Sequence, residues 1–200
     1  GIPVAVDLDR IHITDSLYID NFSTNFFSDR INGQFNGLFM GFDPISGSFT
    51  SKRGISSVEI QSKDAGVFLQ LAGLIKKGAE GSLRLSINRK QKNIEGRLLT
   101  EDLKIYDLPA LAKLLQALSI IGLLEQMLGQ GLFLDESDIN FRLDEGQYII
   151  DRASFFGPSL GISLDGYYNR KGQILDFQGV FSPVYAINSI GSVLTRKGEG

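Results

Sequence analysis

Apolar and polar residues alternate in short runs along much of this chain, and this pattern constrains the fold more than any other feature. The alternating positions are Ile2, Val4, Val6 and Leu8; Leu83, Leu85 and Ile87; Ile139, Phe141 and Leu143; and Ile162, Leu164, Gly166 and Tyr168. Side chains of a strand point alternately to its two faces, so a period of two indicates strands with one buried face. Short runs bounded by turn residues are typical of antiparallel sheets.

Turn residues between the runs predict three hairpins. The turns, with the strands that each would join, are 144–146 (139–143 to 148–150), 88–93 (83–87 to 94–99) and 169–172 (162–168 to 173–181). Each turn contains Gly, Asn or Asp, which tolerate the backbone conformations that tight turns need. The alternation slips at Asp151 and Arg152 before it resumes at Ala153, which predicts a β-bulge.

Two segments break the alternation and predict helices, at about 62–75 and 108–128. Ser62 can cap the first helix. Asp107 can cap the second, and Pro109 would then lie in its first turn. One side of the second helix carries an apolar stripe of Leu111, Leu114, Leu115, Leu118, Ile121 and Leu128.

The order of these elements predicts a mainly β fold class. Strands do not alternate regularly with helices, which disfavours a parallel sheet built from βαβ units. An elongated antiparallel β-sheet with two α-helices packed on it fits the pattern better. We expect residues 1–200 to form a single β-rich segment, and both ends of the chain have the character of cuts from a longer protein.

Composition excludes several kinds of site. The chain has no cysteine, which removes disulfides, thiolate metal sites and cysteine nucleophiles. Its net charge is −3, and its lysines and arginines are scattered apart from short clusters at 76–77 and 89–92. Nucleic acid is therefore not an expected partner. The longest apolar stretch, 117–124, is far shorter than the ~20 residues that cross a bilayer.

One motif has the form of a nucleophile elbow, the sequence G-x-S-x-G around Ser159. An elbow needs a strand, a turn and a helix, followed by an acid and a histidine. Here the chain continues as a strand, and the only histidine, His12, lies far upstream. A turn between two strands is favoured, and a Ser159 hydrolase is kept as an alternative. The carboxylates near Asp135 lack the spacing of a calcium loop, so we expect no metal, cofactor or catalytic residue.

The chain is rich in aromatic residues, with 14 Phe and 6 Tyr but no Trp. An ordinary core is the simpler interpretation, because a one-sided sheet must cover its apolar face. Two helices are nevertheless few for about a dozen short strands. Either the sheet folds over on itself, or part of its apolar face stays open for a ligand.

From about Gly37 to its end, the chain resembles the C-terminal region of AsmA-like cell-envelope proteins. Five segments carry the resemblance. They are 60–66 (IQSKDAG, similar to the family's Ser-x-Asp-Ala-Gly helix start), 108–115 with 119–124 (LPALAKLL and SIIGLL, its long apolar helix), 129–135 (GQGLFLD, its Gly-x-Gly-Leu-x-Phe-Asp exit with Phe and Leu exchanged), 157–161 (GPSLG) and 183–189 (PVYAINS). The first thirty or so residues match only in character.

The resemblance implies a long periplasmic sheet, curved into an apolar groove that conducts phospholipid between the inner and outer membranes. The parent protein would be anchored in the inner membrane by a segment outside this chain, and it would contribute to outer-membrane biogenesis, with other envelope proteins as partners. We expect lipid to face Ile139, Phe141, Leu143, Tyr148, Ile150, Leu114, Leu118 and Ile121. The main alternative is a non-catalytic structural or assembly module that binds a partner protein by strand addition at an exposed sheet edge.

Overall fold

The computed structural model describes residues 1–28, 30–106, 131–144, 146–169 and 171–183, which form one sheet and one helix. The elements in chain order are β1 (Pro3–His12), β2 (Tyr18–Phe27), β3 (Arg30–Phe39), β4 (Asp43–Lys52), β5 (Ile55–Ser62), α1 (Ala65–Leu71), β6 (Gly78–Ala79), β7 (Ser82–Lys90), β8 (Asn93–Ile105), β9 (Leu132–Asp144), β10 (Gln147–Phe156), β11 (Leu160–Asn169) and β12 (Ile174–Pro183). The prediction of a mainly β fold is confirmed.

The strands lie side by side in almost the same order as in the chain. The sheet order is β1-β2-β3-β4-β5-β7-β8-β9-β10-β11-β12, and the short β6 pairs with β8 outside this path. All pairings between described strands are antiparallel, as predicted. Within the described part of the chain, β1 and β12 are the two edges of an open sheet.

This topology gives the sheet two different ends. Antiparallel neighbours reverse direction, so successive connections lie alternately at opposite ends of the strands. We call one of them the helix end, because it holds α1 together with the connections after β1, β3 and β10. The other is the hairpin end, where turns join β2 to β3, β4 to β5, β7 to β8, β9 to β10 and β11 to β12.

The three predicted hairpins and the predicted bulge are confirmed. The innermost pairs of the hairpins are Lys90 with Asn93, Asp144 with Gln147, and Asn169 with Ile174. The register of β10 shifts against β9 between Ile150 and Arg152, where the alternation slips in the sequence. The 157–161 segment is a turn, in which Gly157 N donates a hydrogen bond to Leu160 O at 3.0 Å.

Helix α1 is shorter than the predicted helix at 62–75, and a different residue caps it. Strand β5 extends through Ser62, so the helix starts only after Asp64. The Asp64 carboxylate is the N-cap and accepts a hydrogen bond from Val67 N at 3.0 Å. The Ser62 hydroxyl accepts instead from the backbone N of Asp64, at 3.0 Å. The prediction of Ser62 as the cap was wrong, because its position as the last residue of a strand directs its hydroxyl to the connection before the helix.

The second predicted helix, at 108–128, lies outside the described residues, so the described sheet carries one helix rather than two. Among the described residues there is no helix with the length and apolar character needed to cross a membrane.

The buried core lies at the helix end, where α1 packs on the sheet. Phe68 of α1 stacks on Phe39 of β3, with 4.4 Å between ring centroids. The other large buried apolar side chains include Ile19, Ile45, Leu69, Leu83, Leu103, Ile105, Leu132, Leu134 and Leu160. Full burial of a Leu, Ile or Phe side chain stabilises a fold by about 1.5–3 kcal/mol, so hydrophobic stabilisation concentrates at this end.

Candidate functional site

The strand register sorts the side chains of the sheet onto an apolar face and a polar face, because directly paired residues point to the same side. Two rows that cross the sheet define the apolar face. The first is Val6, Thr24, Phe35, Gly47, Ile60, Leu85, Leu98, Ile139, Ala153, Leu164 and Gly179; the second is Val4, Phe26, Gly33, Phe49, Val58, Ile87, Gly96, Phe141, Ile150, Gly166 and Phe177. The apolar face is therefore continuous from β1 to β12.

The opposite side of the sheet is polar along a row that crosses eight strands, from β2 to β10. This row is Asn25, Gln34, Ser48, Glu59, Ser86, Arg97, Asn140 and Arg152. Charged side chains pair across strands on this face. Arg97 donates two hydrogen bonds to Asp138, at 2.8 and 2.9 Å, and Arg142 similarly contacts Asp151. These hydrogen bonds hold the pKa of each aspartate below its ordinary value, so both remain charged acceptors.

Phenylalanine rings on the apolar face lie over glycines of the neighbouring strand. A Cβ added at Gly96 would come within 2.7 Å of Cε1 and Cε2 of Phe141, and one at Gly33 within 2.9 Å of Cζ of Phe49. Phe35 covers Gly47, and Phe177 covers Gly166, in the same way. A ring that covers a glycine replaces the missing side-chain packing at that position. The glycines thus leave room for the rings to extend over the neighbouring strand.

The cover on the apolar face decreases from the helix end to the hairpin end. Contacts between described elements are mainly those of adjacent strands, and α1 touches β6, β7 and β8 as well as Phe39 of β3. Core residues beside α1 are buried, whereas the two defining rows are mostly half-buried. Nearest the hairpin end, Ile31 is 61% exposed and Tyr148 is 42% exposed. Among the described elements, the sheet is a single layer that α1 covers at one end only.

The structure brings five of the residues predicted to face lipid onto the apolar face, and their role stays a prediction. Ile139, Phe141 and Leu143 follow one another along β9, where they pair with residues of β10 on the same side. The β10 residues Tyr148 and Ile150 are two of those partners. All five are half-buried or exposed rather than buried. The other three, Leu114, Leu118 and Ile121, lie outside the described residues.

Sequence reasoning missed the apolar positions on β3, β4 and β5. Phe35, Phe49 and Val58 belong to the same rows as the β9 residues, but glycines and serines interrupt the alternation of these strands. The available signal was a set of isolated glycines inside polar strand sequences, such as Gly33 and Gly47. An isolated strand glycine often marks a place where another group approaches closely, here an aromatic ring.

Depressions in the sheet surface differ in their linings. One depression, of about 510 Å³, lies near the helix end and is lined by residues from both faces of the sheet. Its polar lining residues include Ser46, Gln61, Arg84 and Glu101. Another, of about 410 Å³, lies along Asn25, Gln34, Ser48 and Glu59. A third, of about 390 Å³, lies near the β1 edge and includes Val4, Phe26 and Gly33 of the second apolar row.

One buried carboxylate interrupts the apolar side of the sheet. Asp43, at the start of β4, is only 3% exposed, and its Oδ2 has no hydrogen-bond partner among the described residues. Burial raises the pKa of Asp43, the nearby Ser62 hydroxyl lowers it in part, and the charge of Asp64 raises it further. A charged carboxylate in this place costs stability.

We expect Asp43→Asn to raise stability at pH 7 and to change it little at pH 3. The pKa of Asp43 is raised in the folded state. Its stabilising contribution to the free energy of unfolding is therefore fully present below 3.8, the pKa in the unfolded chain, and is lost as pH rises through the folded pKa. The neutral amide avoids that loss. Denaturant-induced unfolding, measured at several pH values between 3 and 7, gives both comparisons.

Asp138→Asn provides a control of opposite sign. Hydrogen bonds from Arg97 lower the pKa of Asp138. Its stabilising contribution to the free energy of unfolding is therefore present above 3.8, the pKa in the unfolded chain, and is lost as pH falls through the folded pKa. The substitution should destabilise the protein at pH 7 and do so less in acid. Equal responses of the two variants to pH would contradict these opposite assignments.

The residues of the suspected nucleophile motif are not brought together with the histidine. Ser159 lies in the turn between β10 and β11, whereas His12 ends β1, the edge strand at the other side of the sheet. His12 instead lies beside Tyr18, with 6.0 Å between ring centroids. Among the described residues, no three His, Cys, Asp or Glu side chains converge in a way that could hold a metal ion.

No family model matches this chain, and no curated protein or solved structure matches it either.

Proposed function

We propose that this chain is a segment of an AsmA-like cell-envelope protein and that its apolar face holds or conducts the acyl chains of phospholipid. The observation that carries the proposal is the continuous apolar face, with two rows that cross eleven strands and remain largely half-exposed. Monomeric proteins rarely expose contiguous apolar surface of this extent without a binding role. The sequence resemblance supplies the class of ligand.

The dimensions of the face suit acyl chains. Eleven strands spaced ~4.8 Å apart give rows about 48 Å long. One leaflet of hydrocarbon is about 15 Å thick, half of the bilayer core, so several acyl chains fit along one row. Each buried CH₂ contributes about 0.8 kcal/mol, so an acyl chain lying on Phe, Ile and Val side chains gains binding energy along its whole length.

In this proposal the parent protein spans the periplasm of a Gram-negative-type envelope, where it links the inner and outer membranes. A membrane anchor outside this segment holds it at the inner membrane, and sheet curvature elsewhere in the parent closes the apolar face into a groove. The chain itself transfers lipid without catalysis and needs no cofactor. The polar face, with its cross-strand Arg–Asp pairs, keeps the outside of the sheet in water.

Native mass spectrometry with lipid extraction, on the chain purified from a bacterial host, tests this function. We expect bound phospholipid in the natural chain and at least about a tenfold loss of it in Ile150→Asp, because a carboxylate on the apolar face desolvates at high cost when an acyl chain covers it. Phe141→Asp should have the same effect. The amount of lipid per protein molecule is the measured quantity.

Ile149→Asp is the matched control. Ile149 is the neighbour of Ile150 on β10 and is also half-buried, but it pairs with Arg142 and Tyr167 on the polar face. Ile149→Asp should keep the bound lipid, although it should change thermal stability about as much as Ile150→Asp does. A natural chain that purifies without lipid, or equal losses in both variants, would rule out acyl-chain binding on the apolar face.

Strand addition is a second candidate, favoured by the edge strand β1. Among described strands, β1 pairs with β2 alone, and most of its residues are exposed. Asp7 and Asp9 lie near the middle of this edge. Like charges opposed across strands destabilise pairing, so self-association of β1 about Asp7 is disfavoured and a basic partner strand is favoured. A lipid-free monomer in the experiment above would leave this as the better proposal.

A further inference from the structure

Exposed cations from three separate stretches of the sequence lie at the hairpin end of the sheet. The exposed cations in or beside its turns form what we call the basic rim: Lys52, Arg53, Arg89, Lys90, Lys92 and Lys171. They belong to the β4–β5, β7–β8 and β11–β12 turns, which lie at one end because antiparallel strands return there at every second connection.

The charge of the basic rim is largely uncompensated. Its six residues take part in none of the ion pairs that the described residues form, which instead use Arg10, Arg84, Arg97 and Arg142. Two exposed acidic residues lie nearby, Glu95 beside the β7–β8 turn and Asp144 at the β9–β10 turn, while Asp29, Glu145 and Arg170 lie outside the described residues. The chain as a whole carries a net charge of −3, so this group of six cations is a local excess of positive charge.

The helix end differs in its balance of charge. Its exposed acidic side chains include Asp15, Glu80, Glu101, Asp102 and Glu136, and they are interspersed with Lys63, Lys76 and Lys77. The acidic side chains outnumber these lysines, so this end presents no excess of positive charge beyond the Debye length of about 8–10 Å. A partner that is attracted by positive charge therefore meets the hairpin end first.

Large apolar side chains are exposed beside the basic rim. Phe27 is 53% exposed, Ile55 41% and Ile174 55%, and each lies at the first or last position of a strand next to a hairpin turn. Ile31, in the second position of β3, is exposed as well. Isoleucines offer no flat ring for base stacking, so this combination suits an interface of phosphate and hydrocarbon better than a nucleic acid.

We propose that the hairpin end rests on the surface of an anionic phospholipid bilayer. The lysines and arginines of the basic rim contact headgroup phosphates, and Phe27, Ile55 and Ile174 enter the boundary between headgroups and acyl chains. Both contributions are those of interfacial membrane binding, in which apolar burial adds to electrostatic attraction. This surface is distinct from the apolar face, so the inference does not rest on lipid being carried there.

Sedimentation of the full chain with vesicles tests the proposal. We expect binding to vesicles of phosphatidylglycerol and phosphatidylcholine, weak binding to phosphatidylcholine alone, and release as salt rises. The triple substitution Arg53→Glu, Lys90→Glu and Lys92→Glu should weaken binding about a hundredfold or more, because each cation near an anionic leaflet is worth roughly fivefold. Separately, Ile55→Ser should weaken binding without changing its dependence on salt.

The matched control makes the same charge change at the helix end, with Lys63→Glu, Lys76→Glu and Lys77→Glu. It should leave vesicle binding within a few-fold of the natural chain, provided that circular dichroism and thermal melting show both triple variants folded. Equal losses in the two triple variants, equal binding to neutral vesicles, or equally tight binding to a DNA duplex would overturn the proposal. Ile150→Asp should keep vesicle binding, which separates this result from the test of the apolar face.

Discussion

Replacing Gly66 by alanine is expected to lower the free energy of unfolding by about 3 kcal/mol, at the upper end of what overpacking costs. Gly66 is buried in α1, where a Cβ would collide with the backbone of Ala79 in β6 and would lie 2.5 Å from the carbonyl C of Gly78. These are backbone atoms, which no rotamer change can move. The whole helix would have to withdraw from the sheet, and the stacking of Phe68 on Phe39 would loosen with it.

Chemical denaturation monitored by far-UV circular dichroism measures this loss. Gly161→Ala is the control, because a Cβ there meets only Ser182 O at 3.9 Å, an ordinary contact. Its effect should stay within about 0.5 kcal/mol. A loss below about 1 kcal/mol for Gly66→Ala would mean that the close approach of α1 to β6 does not fix the position of the helix.

The second large effect concerns Gly96 and the ring that covers it. Phe141→Ala should cost about 2–3 kcal/mol, somewhat less than for a fully buried Phe because Phe141 is half-buried. Gly96→Ala should cost about 1–3 kcal/mol, since the added Cβ displaces the Phe141 ring. In the Phe141→Ala background, however, Gly96→Ala should be neutral or stabilising by about 0.5–1 kcal/mol, because alanine loses less entropy than glycine in a strand.

The double-mutant cycle of these two changes measures the coupling directly. We expect about 2 kcal/mol of interaction between Gly96 and Phe141, and additivity within about 0.5 kcal/mol between Gly96→Ala and the distant Leu164→Ala. An additive result for the first pair would show that the ring does not depend on the glycine beneath it. The cycle also separates packing on the apolar face from ligand binding, because it needs no lipid.

Local chemistry is sufficient to predict three of the hairpins of this sheet, though not those that join β2 to β3 and β4 to β5. The turns at 88–93, 144–146 and 169–172 carry their own residue preferences, and the slip at Asp151 and Arg152 marks the bulge within the sequence itself. The first helix was predicted too long because Ser62 is compatible with both a cap and a strand end. Pairing of Ser62 with Ile45 and Leu83 in the sheet decides between them, and that pairing is not local.

The candidate site was predictable only in part, for the same reason. Alternation assigns Ile139, Phe141 and Leu143 to one face of β9, but it does not give what covers that face. The contact of Gly96 with Phe141 joins positions 45 residues apart, and it depends on the register between β8 and β9. Sequence reasoning identified only the 89–92 part of the basic rim, because cations of different turns come to one end of the sheet only once the connections have been assigned.

The chain-order arrangement of the strands has a consequence for how the molecule folds and opens. Most strand contacts join consecutive elements, so much of the sheet has low contact order, which favours rapid folding. Its energetics then approach those of a one-dimensional array, in which each hairpin is stabilised chiefly by its immediate neighbours. Amide exchange should be slowest in β7 and β8, where α1 adds cover, and faster toward β1 and β12, so that the sheet frays inward from its edges.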